Sequence, residues 1–176
     1  MTPGFDEDII TPTLRPIIFL HGINGHADEF DGIIALLRDK YGSEAAAPIM
    51  HSIGICEGSC SLLTPLSKQR DAMIDYLAKN AATLGIDHDD GFNIVAHSQG
   101  ALLMRAVVQK LPHPGLNVRT YVSMAGPQRG QWGPCLKSYS GLGPTIEEKM
   151  ARPMGWIAFY NPIAQHGLSV ANYWNE

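Results

Sequence analysis

The sequence predicts an α/β fold, a mainly parallel sheet with helices packed on it. Three observations carry this. Short apolar runs alternate with amphipathic segments, the pattern of successive βαβ units. The run Pro16-Ile17-Ile18-Phe19-Leu20 is apolar throughout, as a strand covered on both faces is. A second run, Phe92-Asn93-Ile94-Val95-Ala96, leads through a sharp turn into a helical stripe.

Taken in order, the first strand (16–20) gives way to a loop at His21–His26. Asp28 can cap a helix whose apolar positions are Phe30, Ile33, Ile34, Leu37 and Tyr41, closed by Gly42. A second strand is expected near Pro48–Ile53, and then a loop rich in Gly, Ser and Cys over Gly54–Leu63. Thr64-Pro65 opens a long helix with proline at its first position, where the missing N–H costs nothing. Met73, Leu77, Ala81 and Leu84 form its buried side and Gly85 ends it. After the strand 92–96 comes a helix with Leu102, Leu103, Ala106, Val107 and Leu111 inward and Pro112 as its stop. The fourth strand is Val118–Met124. Gly126–Pro144 is crowded with Gly and Pro, and Ile146–Glu176 reads as short helices. Connections this long are usually functional caps. The chain is therefore divided into a sheet-and-helix core at 15–125 and a lid-like segment at 126–176, within a single domain.

Composition narrows the partners. The 176 residues are 45% hydrophobic, enough for one real core, and the net charge is −4. There is no basic run that could track phosphates, so nucleic acid is not an expected partner. No stretch reaches the roughly 20 apolar residues of a membrane span. Met1–Leu14 carries Asp6, Glu7 and Asp8 and lacks the basic-then-apolar pattern of a secretory signal. Of the three cysteines, Cys56 and Cys60 have no second pair of ligands at metal spacing, so no zinc site is expected. Three free thiols, or one disulfide and one thiol, both remain open.

The strongest chemical signal is Ala96-His97-Ser98-Gln99-Gly100, between an apolar strand and an apolar-faced helix. That is the setting of a nucleophile elbow. Small residues at Ala96 and Gly100 let strand and helix approach closely, so the turn presents the Ser98 hydroxyl at the sheet edge beside a helix N-terminus. The plainer alternative is a serine that only caps a tight turn. The second signal, His21-Gly22-Ile23, directly follows the first strand. Its loop is placed to give one amide of an oxyanion hole, Ile23, with Gln99 giving the other and Gly22 supporting the turn. The alternative is an ordinary turn.

A serine nucleophile needs a base and an orienting carboxylate. His97 is a poor base because neighbouring side chains point apart, and it is expected to pack structurally. His113 lies at the far end of the helix, about 20 Å from the elbow. Downstream of Ser98 the other titratable candidates are Glu147, Glu148, Glu176 and His166. An in-chain triad would draw on these. The preferred expectation puts acid and histidine on later strands, beyond the four read here. A sheet lacking those strands would be prone to association.

The residues also resemble a known family. Ala96-His97-Ser98-Gln99-Gly100 followed by Leu103, Arg105-Ala106-Val107 and Gln109 is similar to the nucleophile segment of palmitoyl-protein thioesterases. So are Val122-Ser123-Met124-Ala125-Gly126-Pro127-Gln128-Arg129-Gly130, Trp132-Gly133-Pro134-Cys135 and Ala171-Asn172-Tyr173-Trp174-Asn175. The resemblance implies an α/β-hydrolase fold and removal of long-chain fatty acyl groups from protein cysteines, in the lysosome, without metal or organic cofactor. S-acylated proteins or fatty acyl thioesters would be the substrates. It also implies Ser98 as nucleophile and Ile23 and Gln99 as oxyanion donors. The family's catalytic Asp and His lie beyond the Tyr-Trp segment, so neither maps onto this chain. Trp132, Met154, Trp156, Ile157 and Phe159 are candidates to line an acyl groove, or to be ordinary lid core. A lipase or carboxylesterase acting on oxygen esters, and an inactive hydrolase-like chain, are the competing readings.

Overall fold

The computed structural model of the chain describes residues 14–41, 48–111, 116–130 and 161–173. Four strands form one parallel sheet in the order β2-β1-β3-β4, with β1 at Ile17–Leu20, β2 at Met50–Ile53, β3 at Phe92–His97 and β4 at Val118–Met124. The chain turns one way from β1 to β2 and the other way from β1 to β3, so the order reverses between β1 and β3. Loops leaving the C-terminal ends of two such strands diverge, and the crevice between them is where parallel sheets bind ligands.

The period-2 geometry of the strands sorts their apolar residues onto two faces. Ile18 and Leu20 of β1 pair with Ile94 and Ala96 of β3. Together they face the main core, packed with Met73, Leu77, Met104 and Val107. On the opposite face Phe19 pairs with Val95 and packs against Phe30 and Ile34. The Phe19 and Phe30 rings lie 5.1 Å apart in a tilted arrangement. Helix α1 (Asp31–Tyr41) covers this second face, and the other long helices cover the first. On β4 the residues of the α1 side, Val122 and Met124, are 43% and 37% exposed.

Several expectations are corrected in detail. A 3-10 turn at Ala27–Phe30 precedes α1, so Asp28 lies inside the turn and His26 occupies the cap position. Only Phe30 and Ile34 of the expected stripe are buried; Ile33 and Tyr41 are each 36% exposed. Gly54–Leu63 is not all loop: Ser59–Leu63 forms a short helix, α2. Its start carries no apolar period, and a Cys56–Cys60 disulfide ties its first turn to the loop before it. The disulfide resolves the open question for these two thiols, while Cys135 lies outside the described residues. Pro65 is the N-cap of α3 (Leu66–Lys79) rather than its first residue, with extended ψ of 141°. The side chain of distant Asn172 accepts the Leu66 amide at 2.8 Å, satisfying a donor that proline at the cap cannot reach. The long helix breaks at Asn80 and resumes as α4 (Ala81–Leu84), with Gly85 at φ +66° ending it in the left-handed C-cap that glycine tolerates best. In α5 (Ser98–Lys110) the fully buried residues are Gln99, Gly100, Ala101, Leu103, Met104 and Val107, while Leu102, Ala106 and Leu111 are only partly buried. Past residue 160 the described chain forms a helix α6 (Pro162–Gly167) and a 3-10 turn at Val170–Tyr173. These dock on Ile23, Leu62, Leu66 and Leu102. Gly42, Pro112, His113 and the aromatic residues proposed for an acyl groove fall outside the described residues.

Candidate active site

Ser98 is the first residue of α5 and has φ +50°. A non-glycine residue in the left-handed region is uncommon, costs on the order of 1–3 kcal/mol, and persists only where its surroundings enforce it. The enforcing contacts are visible. A Cβ built on Gly100 would meet the Leu20 carbonyl at 3.0 Å and would drive still deeper into the His21 carbonyl, so the first turn of α5 sits directly on the end of β1. A Cβ on Gly22 would lie 3.1 Å from Ser98 Cβ and 3.3 Å from His97 Nδ1. Ala96 is fully buried beneath the turn. Gly22 and Gly100, two of the small residues singled out from the sequence, are thus points of close approach around Ser98.

The Gly22–Ile23 peptide is pinned from its carbonyl side. Gly22 O accepts the Gly25 amide at 3.1 Å and lies 2.8 Å from His21 Nδ1. In a trans peptide the following N–H points opposite the C=O. Ile23 N–H is therefore aimed away from both partners, and no described hydrogen bond uses it. The Gln99 amide belongs to the first turn of α5, whose amides have no partner within the helix. The His21 ring is buried, and its Nε2 has no partner among the described residues.

Two clamps hold the loop after β1 that sequence reading did not foresee. Glu29 Oε2 accepts the Gly22 amide at 3.1 Å, while its Oε1 pairs with His97 Nδ1. His97 sits on the α1 face of β3, so one carboxylate ties the residue before Ser98 to the loop carrying Ile23. On the other side, Gly58 N–H donates to Gly25 O at 3.0 Å and Glu57 Oε1 accepts the Ala27 amide at 2.7 Å. The Ala27 amide holds the Glu57 carboxyl below its ordinary value; desolvation opposes this in part, and the His26 ring adds to the lowering. Nothing in the spacing of Glu29 or Glu57 marks them in the sequence; both act through partners brought close by the fold.

The Gln99 side chain is buried and hydrogen-bonded at both ends. Its Nε2 donates to Ser61 O at 2.8 Å, and its Oε1 accepts from Ser169 Oγ at 2.8 Å and Tyr173 OH at 3.0 Å. A groove of about 420 Å³ runs beside α5 between α3 and the 127–130 segment, lined by Leu66, Leu102, Ala106, Pro127 and Tyr173 among others. Leu102 is one helical turn beyond Ser98.

The expected general base is not among these contacts. Within the described residues no histidine bonds to the Ser98 hydroxyl: His97 faces Glu29, and His166 is exposed on α6. Glu147, Glu148 and Glu176 lie outside the described residues. No group of three or more His, Cys, Asp or Glu that could hold a metal ion occurs among the described residues, and no described helix is long and apolar enough to cross a membrane.

Comparison with known proteins bears on the fold and the family. Among solved structures, an extracellular α/β-hydrolase from a Paenibacillus species superposes with a TM-score of 0.51 at 18% identity, covering 91% of this chain and 69% of that one. The mature form of Bacillus licheniformis lipase BlEst2 also gives 0.51, at 14% identity over 87% of this chain and 62% of its own. These likenesses establish the α/β-hydrolase fold. Among curated sequences, the lysosomal thioesterase PPT2 homolog of Drosophila melanogaster is 31% identical over 92% of this chain and 50% of its own length. The human lysosomal thioesterase PPT2 is 25% identical, over 92% of this chain and 48% of its own length. The chain thus spans about half the length of the curated relatives it matches. The model of the palmitoyl protein thioesterase family matches residues 16–176, and the chain belongs to that family.

Proposed function

We propose that the protein hydrolyses long-chain fatty acyl thioesters, including those on protein cysteines, with Ser98 as nucleophile and the Ile23 and Gln99 amides as oxyanion donors. The observation that carries this reading is the left-handed φ of Ser98 at the tip of β3, with Gly22 against its Cβ. A serine that merely capped α5 would have no need of that conformation.

In the first half-reaction Ser98 Oγ attacks the thioester carbonyl carbon and its proton passes to the base, in this reading a histidine on a strand later than the four described. The carbonyl oxygen becomes an oxyanion facing the two amides. Collapse breaks the C–S bond, and the departing thiolate takes the proton back from the base. Water then attacks the acyl-serine by the same route and releases the fatty acid. Thiolate leaves readily, so serine activation and oxyanion stabilisation carry most of the catalytic demand. No organic or metal cofactor enters this chemistry.

The apolar groove beside α5 starts one turn from Ser98 and is the candidate path for the acyl chain. Residues 15–125 form the catalytic core in this reading and 126–176 the lid. A lysosomal location is proposed from the relatives named as lysosomal thioesterases. The test is a panel of palmitoyl thioesters and p-nitrophenyl esters assayed with the full chain and with Ser98→Ala. Preference for thioesters, abolished by the substitution, is expected. Preference for oxygen esters would move the protein to the lipases and carboxylesterases, and turnover surviving Ser98→Ala would remove the serine mechanism.

A further inference from the structure

We infer that Ser61 is a positioning residue that fixes the two oxyanion amides relative to each other. The inference rests on the function proposed above and adds to it a residue outside the elbow and the β1 loop.

Ser61 lies in α2 and is 2% exposed. Its hydroxyl and its carbonyl each reach a segment that carries a proposed donor. Its Oγ accepts the Asn24 amide at 2.7 Å, and Asn24, at φ +57°, directly follows Ile23. Its carbonyl accepts Gln99 Nε2 at 2.8 Å, so the residue that supplies the second donor from its main chain is held by its own side chain. Glu29 ties the same two segments from the other face, through Gly22 and His97, whereas Ser61 bonds to the residue after Ile23 and to Gln99 itself. The hydroxyl proton is committed as well, donated to Gly58 O at 2.7 Å, and Gly58 N–H is bonded to Gly25 O. Gln69, 3% exposed, donates to the Ser61 carbonyl at 2.9 Å and to Thr64 O at 2.6 Å, locking α2 against α3. The Cys56–Cys60 disulfide closes the loop immediately before Ser61.

The chemistry at position 61 is demanding. A hydroxyl both accepts from Asn24 and donates to Gly58. Alanine does neither, while threonine keeps both capacities. Oxyanion donors act by being in place before charge develops, and small displacements of a reacting geometry are costly in rate. Ser61 therefore contributes to the transition state without touching the substrate, by holding the Ile23–Asn24 turn at a set distance from the start of α5.

The experiment compares the full chain with Ser61→Ala and Ser61→Thr. One readout is the rate of covalent labelling of Ser98 by an alkyl fluorophosphonate, whose phosphoryl oxygen occupies the oxyanion position. The other is amide hydrogen exchange at Asn24. The expected result for Ser61→Ala is labelling slowed about tenfold or more, with affinity for the alkyl chain unchanged, and faster exchange at Asn24 in a chain that still unfolds cooperatively. Ser61→Thr is expected to restore both. Labelling of Ser61→Ala at the wild-type rate overturns the inference even if Asn24 exchanges faster, because Ser61 would then be structural only. Slowed labelling with Asn24 exchange unchanged also overturns it. A wild-type chain that does not label at Ser98 removes the reading of the site itself, a distinguishable failure.

Discussion

Replacing Gly100 by alanine sets two effects of opposite sign against each other. Position 100 is in the first turn of α5, where alanine is favoured over glycine by at most about 1 kcal/mol through backbone entropy. The fold opposes it. The added methyl would sit 3.0 Å from the Leu20 carbonyl and much closer to the His21 carbonyl, well inside the 3.0 Å below which real Cβ contacts essentially never fall. Both obstacles are backbone atoms at the end of a central strand, so no side chain can swing away. Relief requires α5 to lift from β1 by about 1 Å, to reach ordinary carbon–oxygen contact. Overpacking of this kind costs about 1–3 kcal/mol, so the clash outweighs the propensity gain. The site feels the same movement. Lifting α5 carries Ser98 and the Gln99 amide away from Ile23, and a 1 Å misplacement is worth about a hundredfold in rate. Urea unfolding monitored by circular dichroism should show a lower midpoint with little change in slope. Fluorophosphonate labelling of Ser98 should slow far more than that loss of stability alone accounts for. A Gly100→Ala protein as stable as wild type and labelled as fast would refute the close approach of α5 to β1 as the basis of the elbow.

The other predictions concern the groups around the loop. Glu29→Ala removes the acceptor of the Gly22 amide and the partner of His97; it should cost about 1–3 kcal/mol in urea unfolding and slow labelling of Ser98, whereas an effect on neither would show the carboxylate to be incidental. Replacing Cys56 and Cys60 together by serine opens a five-residue closed loop, worth about 2 kcal/mol by the chain-entropy relation, and should lower the unfolding midpoint and speed amide exchange at Ser61; unchanged values would contradict a staple at α2. Burial holds His51 below its ordinary value of 6.5, with Nε2 lacking a partner among the described residues. The unfolded chain then binds the proton more readily, so this histidine's contribution to stability is complete above about pH 6.5 and is lost as pH falls through its lower folded value. His51→Leu should flatten the decline in stability on going from pH 7.5 to pH 5.5, and an unaltered slope would assign that decline to other groups.

What the sequence made legible is what local chemistry determines. Strand positions emerged because β1 reads as an unbroken apolar run and β3 as a run whose only polar residue before His97 is Asn93. The elbow emerged because its signal is compound: a strand, a serine between small residues, and a helix. On α5 the expected Leu103 and Val107 are buried, but contact adds small residues that bulk does not mark: Gly100 lies against the end of β1 and Ala101 against Gly126, while Leu102 lines the groove. Helix α2 was hidden because Gly-Ser-Cys-Ser carries no periodicity; the disulfide and bonds to Asn24, Gln69 and Gln99 hold it. Glu29 and Ser61 are ordinary polar residues in sequence, with partners as far as 68 residues away for Glu29 and 38 for Ser61. Their roles exist only once β1, β3 and α2 converge.

The claim on which the rest depends is that Ser98 is an activated, solvent-accessible nucleophile facing the Ile23 and Gln99 amides. Its most direct measurement is mass-spectrometric mapping of the covalent adduct formed by a fluorophosphonate on the full chain. The account predicts one adduct, on the peptide containing Ser98, absent from Ser98→Ala. No adduct, or an adduct on a different serine, would contradict it.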